Sequence, residues 1–329
     1  MKRKIIKQGH NTLTVTIPAI WARRFNIQAG KEVDLIERDN GLFISSERSD
    51  DNRQVELNIA GMDIPTIWKH FMGVYREGFN EVKVKFTPGV KIESPYKFFT
   101  KHKLDLRYKK EPEKKLPAEA LQGFVNRFIG FEIVEHGKDY VLVKEMGEPT
   151  SKEFDNSLRR IFLLLQQMAD ECVEAMMAND SKIVEHMHDI DINIDKFQDY
   201  CIRILNKVGH KEPRKTSILF ATLNLLELIG DEYKNIAGHI INDFSKAKFT
   251  NILDIAEGLR DEIYAFYELF YKYDLQKIKK IADIDQKIHF GVVEKYKKST
   301  EDEKEVYHHL RVITRYINSL VELRVEMEF

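Results

Sequence analysis

From Ser151 to the end of the chain, strand signals disappear and apolar residues recur every three or four positions, as in Leu158, Ile161 and Phe162, Leu165, Met168, Cys172, Ala175 and Met176. That spacing puts one apolar stripe on each helix, and a stripe has to be buried against another element, so this part of the chain must pack helix on helix. Breaks at Asn179-Asp180, Gly209–Pro213, Lys246–Thr250, Tyr273-Asp274 and Lys298–Glu303 cut it into six helices. The second and fifth carry an echo: MHDIDINID over Met187–Asp195 and IADIDQKIH over Ile281–His289 share Asp-Ile-Asp at one register. The tail therefore reads as two three-helix units joined in a bundle.

The rest of the composition sets bounds. A chain of 329 residues, 43% hydrophobic and 32% charged, with 16 Gly and 8 Pro, is neither disordered nor collagen-like. Its densest apolar run, Ile161–Leu165, is bracketed by Arg159, Arg160, Gln166 and Gln167, so no membrane insertion is expected. The basic start has no apolar segment or cleavage site behind it, and a cytoplasmic location is expected. Cys172 and Cys201 have no CxxC spacing and read as buried thiols. The formal charge of −1 hides a gradient, from +4 over residues 1–48 to −6 over residues 151–329. A basic head on an acidic tail suits a small nucleic-acid-binding module joined to something else.

The first 150 residues mix strands and short helices. Leu13–Ile17, Val33–Glu37 and Leu42–Ile44 read as strands, the last two joined at Asn40-Gly41, with a short helix from Ala19 to Phe25 behind Pro18. After the polar stretch Ser45–Asn52, strands at Val55–Ile59 and Val82–Phe86 flank a helix from Pro65 to Arg76. A charged loop at Lys109–Lys115 leads to a helix ending at Ile129-Gly130, and Phe131–Glu135 pairs with Tyr140–Val143. Trp68, Phe71 and Tyr75, at helical spacing, make core. The expectation is three domains: an all-β/α head over 1–48, an α+β spacer over 49–150 and the helical tail over 151–329.

Chemistry is expected where acids recur at i,i+4 on a bundle helix. Asp191 and Asp195 share a face, about 6 Å apart at Cβ, and Glu227 and Asp231 do the same on the next helix. The ordinary reading of one such pair is a solvated acidic surface. Two pairs on neighbouring helices, with Glu227 inside the apolar run Leu223–Ile229, also make an oxygen-rich ligand set for a cation.

These residues resemble a family. LELIGDEYKNIA over Leu226–Ala237 is similar to the LERIGDxxxNIA signature of PhoU-type phosphate-uptake regulators, whose paired three-helix repeats carry E(D)xxxD motifs that bind metal clusters. The resemblance covers 151–329 and implies Asp191, Asp195, Glu227 and Asp231 as ligands for a divalent or ferric ion, iron or zinc above all. In the second repeat, His289 follows Asp285, and Arg315 and Ser319 stand where the Glu and Asp belong, so a single site is expected. The head, with Gly9, LTVTIP over Leu13–Pro18, Trp21–Phe25, Ile27, Gly30 and Val33, resembles the AbrB/SpoVT/MazE swapped-hairpin DNA-binding domains. Such heads are intertwined dimers, which implies a homodimer and a doubled basic face of about +8 for DNA phosphates. Its candidate contacts are Lys2, Arg3, Lys4, Lys7, Asn11, Arg23 and Arg24, the two arginines on the short helix being suited to bidentate contacts.

Both matches in one chain resemble archaeal-type proteins that join an AbrB-like head to a PhoU-like tail as transcriptional regulators of phosphate uptake. The expected function is a DNA-binding regulator, not an enzyme, whose tail meets a metal or partners from phosphate transport or signalling. Two alternatives stand beside it: an adaptor for a transporter that never touches DNA, and a carboxylate-bridged di-metal enzyme using Glu185/His188 and Glu305/His308 at Glu-x-x-His spacing. GxGxxG, GxxxxGK[ST] and nucleophile-elbow patterns are missing.

Overall fold

The computed structural model describes residues 2–38, 41–45, 53–94, 112–147, 149–243 and 249–329, which fall into two compact units, Met1–Asn52 and Arg53–Phe329. In the first unit β1 (Ile5–Gln8) pairs antiparallel with β2 (Thr12–Val15), turning at Gly9, whose φ of +70° suits glycine. A short helix α1 (Ala19–Arg24) follows Pro18, and β3 (Asp34–Arg38) pairs antiparallel with β4 (Gly41–Ser45). β1 escapes the sequence pattern because its four residues offer only the Ile5-Ile6 pair as signal. The expected turn residue Asn40 and the polar stretch from residue 46 lie outside the described residues.

In the second unit, β5 (Gln54–Asn58) runs parallel to β6 (Glu81–Lys85) across the crossover helix α2 (Ile64–Arg76). The sheet continues antiparallel through β10 (Tyr140–Glu145) to β9 (Phe131–His136), in the order β5-β6-β10-β9. α2 starts where Asp63 caps the Thr66 amide and Pro65 fixes the first turn. α3 (Pro117–Val125) packs with α2 so that Phe71, Tyr75, Phe124, Phe128 and Phe131 form one aromatic core, as the Phe71/Tyr75 spacing predicts. The expected charged loop is corrected in its last part: Glu113–Lys115 is strand β8, paired with β7 (Ile92–Ser94). Lys109–Glu111 lie outside the described residues.

The tail holds the six expected helices: α4 (Ser151–Ala178), α5 (Met187–Lys207), α6 (Lys215–Asp243), α7 (Leu253–Tyr271), α8 (Leu275–Tyr296) and α9 (Glu301–Glu326). Capping boxes at Thr150/Glu153 and Thr300/Glu303 start α4 and α9, and Asn179 in the left-handed region ends α4. The two triplets join through α4 against α7 and α6 against α9, over one continuous hydrophobic core. Helices alone follow from Ser151 on, yet residues 53–147 and the bundle form one compact unit where two domains were expected, and Tyr200 of α5 packs against both cores.

Candidate functional site

A row at four-residue spacing runs along α5 through Asp191, Asp195, Asp199, Arg203 and Lys207, each stacked beside the next. Each finds an opposite charge. Lys234 of α6 lies 2.8 Å from Asp191 Oδ2 and also donates to Asp231 Oδ1. Arg127, just after α3, lies 3.2 Å from Asp195 Oδ2, and Arg76 at the end of α2 lies 2.5 Å from Asp199 Oδ1 while donating to Gln198 at 2.9 Å. Then the sign reverses. Arg203 donates to Glu145 Oε1 of β10 at 2.8 Å, and Lys207 donates to Glu145 Oε2.

Arg203 is the most deeply held of these groups. It is fully buried, and its guanidinium also donates to the carbonyls of Tyr75 at 2.6 Å and Phe79 at 2.8 Å while stacking 4.8 Å from the Tyr75 and Phe131 rings. A planar fork with five donors satisfies a carboxylate and two carbonyls together, which an ammonium cannot do. The close approach needs small residues. A Cβ on Gly78, whose φ is +86°, would stand 3.3 Å from Lys207 Cβ, and one on Gly230 would stand 3.1 Å from Ile194 Cδ1.

Five carboxyls share this face with three cations, and their protonation follows from that excess. Burial pushes Asp191 up, but the His188 imidazole and the Lys234 ammonium outweigh it and hold the carboxyl below its ordinary range. His188 Nδ1 stands 3.8 Å from Asp191 Oδ2, too far for a hydrogen bond, so the Lys234 ammonium supplies the direct contact. Burial, then the charges of Asp191 and Glu227, push Asp195 well up against the pull of Arg127. Asp199 is raised by burial, with Arg76 opposing. Glu227 is pushed up to about 7 by burial and by Asp231 and Asp191. Burial works against the charge of Lys234, but Asp191 and Asp231 overcome it and raise its pKa.

A metal held by Asp191, Asp195, Glu227 and Asp231 needs those carboxylates turned to a common point. Three of the four are turned instead onto side-chain cations of this chain, and the ammonium of Lys234 lies between the two acid pairs. Among the described residues no group of three or more His, Cys, Asp or Glu side chains is disposed to hold a metal ion. The donor set, as folded, does not fit the metal that the E(D)xxxD resemblance implies.

In the second repeat Asp285 is half-buried, and His289 and Arg315 are exposed. The Glu-x-x-His pairs do not converge in the bundle core: Glu185, Glu305 and His308 are exposed, and His188 alone is buried. In the head, Arg3 and Lys4 lead into β1, Lys7 and Asn11 lie toward the turn end of the hairpin, and Arg23 and Arg24 form the last turn of α1. All six are exposed, and Arg23 Nε donates to the Ala19 carbonyl at 3.3 Å. No described side chain of the head is buried, and Ile5, Leu13 and Leu35 are each at least 60% exposed.

Sequence reasoning missed Arg76, Arg127, Glu145, Asp199, Arg203 and Lys234. Asp199 and Arg203 continue the four-residue spacing of Asp191 and Asp195, and Lys234 lies three residues after Asp231, so those three were within reach of the helical pattern. Arg76, Arg127 and Glu145 come from distant segments and leave no local signal.

Residues 6–52 match the family described as antidote-toxin recognition MazE, bacterial antitoxin, and residues 158–240 match the PhoU domain. Among solved structures, PhoU from Pseudomonas aeruginosa is 16% identical, with a TM-score of 0.45 over 53% of this chain and 94% of its own. No curated protein matches the chain. Among the described residues no helix is long and apolar enough to cross a membrane.

Proposed function

We propose that the chain is a dimeric DNA-binding regulator of phosphate uptake, acting in the cytoplasm, whose helical bundle reads phosphate status through contact with transport or signalling proteins. The PhoU match supports phosphate-uptake regulation, and the MazE match is compatible with DNA binding. One observation carries the finer reading. The first unit, which contains the segment matched to MazE, buries none of its described side chains, exposes Ile5, Leu13 and Leu35, and presents Arg3, Lys4, Lys7, Arg23 and Arg24 to solvent. Two-stranded ribbons cannot stand alone in water, so a second copy of the head closes that apolar surface and doubles the basic one. Such a face attracts DNA phosphates, with Arg23 and Arg24 suited to bidentate contacts and Asn11 to a base edge or the backbone.

The test is recovery and sequencing of sheared genomic DNA bound by the purified full chain at about 0.15 M salt, where non-specific phosphate binding weakens. A few enriched sites upstream of phosphate-transport genes, lost in the Arg23→Ala/Arg24→Ala variant, are expected. A dimer that enriches nothing would refute the DNA-binding reading and favour the adaptor.

A further inference from the structure

The two acid pairs stand on the neighbouring helices α5 and α6, and one position for a cation that bridges them is between Asp191 and Asp231. That position is held by the ammonium of Lys234, 2.8 Å from Asp191 Oδ2 and hydrogen-bonded to Asp231 Oδ1. Its placement follows from the helix: Lys234 is three residues after Asp231 and so rises on the same face. The Lys234 side chain is only 16% exposed and that of Asp191 4%, so the contact lies largely out of water. Arg127 then answers Asp195, and Arg76 answers Asp199.

We infer that Lys234 is the resident cation of this site, an ammonium supplied by the chain where the motif elsewhere takes a metal, and that the acid cluster is a metal-independent lock. The lock closes α5 onto α6 through Lys234 and seats residues 53–147 on the bundle through Arg127 and Arg76. The continuation along the same face supports this. Asp199 is followed at the same spacing by Arg203 and Lys207, which take Glu145, so the acids belong to one unbroken row of ion pairs and not to a separate ligand set. A divalent ion would have to enter beside a fixed positive charge and expel it.

The inference concerns the bundle and stands apart from the DNA-binding reading, since DNA recovery by the wild type is read separately from metal content. The experiment uses the purified full chain, stripped with a chelator and then titrated with Zn2+, Mn2+ and anaerobic Fe2+, with bound metal counted by mass spectrometry and folding checked by circular dichroism. The wild type is expected to bind no stoichiometric metal and to keep its melting temperature in chelator. Lys234→Ala and Lys234→Gln open the position, and at least one of them is expected to gain about one ion per chain, bound about tenfold or more tighter than by the wild type. Adding Asp191→Asn to Lys234→Ala is expected to abolish that gain. Wild-type protein that retains about one ion per chain and loses it in Asp191→Asn would overturn the inference. So would two folded Lys234 variants that bind no more metal than the wild type.

Discussion

Glu262 of α7 is fully buried, and among the described residues neither of its carboxyl oxygens has a hydrogen-bond partner. Burial, and then the nearby charge of Asp285, pushes it up to about 9 from an ordinary value of 4.5. The folded chain therefore keeps this proton at pH 7, while the unfolded chain has lost it. A raised carboxyl contributes no penalty below pH 4.5, and each pH step from there to about 9 removes about 1.4 kcal/mol of stability. At pH 7 the cost is about 3 kcal/mol by that arithmetic. The register that sets Met187–Asp195 against Ile281–His289 places Met168 opposite Glu262, and Met168 is equally buried. Glu262→Met thus puts into the second repeat the residue that the first repeat already packs. It is expected to gain about 2–3 kcal/mol at pH 7, a rise in melting temperature of roughly 5–10 °C, and under about 1 kcal/mol at pH 5. Melting curves of wild type and variant at pH 5, 6, 7 and 8 should diverge steadily as the pH rises. Parallel curves across that range would show that Glu262 does not titrate between the folded and unfolded states, and the reasoning would fail.

Arg203→Met removes a buried guanidinium from Glu145 Oε1 and from the carbonyls of Tyr75 and Phe79 and is expected to cost about 3–5 kcal/mol, with hydrogen exchange accelerating in α2 and β10 before the bundle. Arg203→Lys should recover only part of that loss, because an ammonium cannot span the same three acceptors. Gly78→Ala places a side chain at φ +86° against Lys207 and is expected to lower stability by about 1–2 kcal/mol in denaturant melts. In filter-binding measurements across a salt series, Arg23→Ala should reduce the slope of log affinity against log salt by about 1 for each head that loses a phosphate contact.

The fold was legible wherever neighbouring residues alone decide it. The breaks between the six tail helices fall at residues that cap or cannot continue a helix, such as Asn179, Asp274 and Thr300, and each of these does end or begin one. Strand β1 was invisible because four residues with two apolar side chains carry no period. β8 was read as loop for a related reason: Glu-Lys-Lys has no strand propensity of its own and is strand through its pairing with Ile92–Ser94.

The site was half legible, and the missing half changes its chemistry. Two acids at i,i+4 on each of two helices are visible in a sequence, and alone they call for a cation. Whether that cation is a metal ion or a side chain depends on what else reaches the face. Arg76 and Arg127 are separated from Asp199 and Asp195 by 123 and 68 residues. No window on the sequence joins them, and only the packing of α2 beside α5, with Arg127 reaching over from the segment after α3, brings them into range. Lys234 was the exception, lying inside the LELIGDEYKNIA segment where the helical period puts it on the face of Asp231. In this chain the cation three positions after Asp231 is within reach of both Asp191 and Asp231, and exchanging Lys234 for a neutral residue is the change that separates the two chemistries.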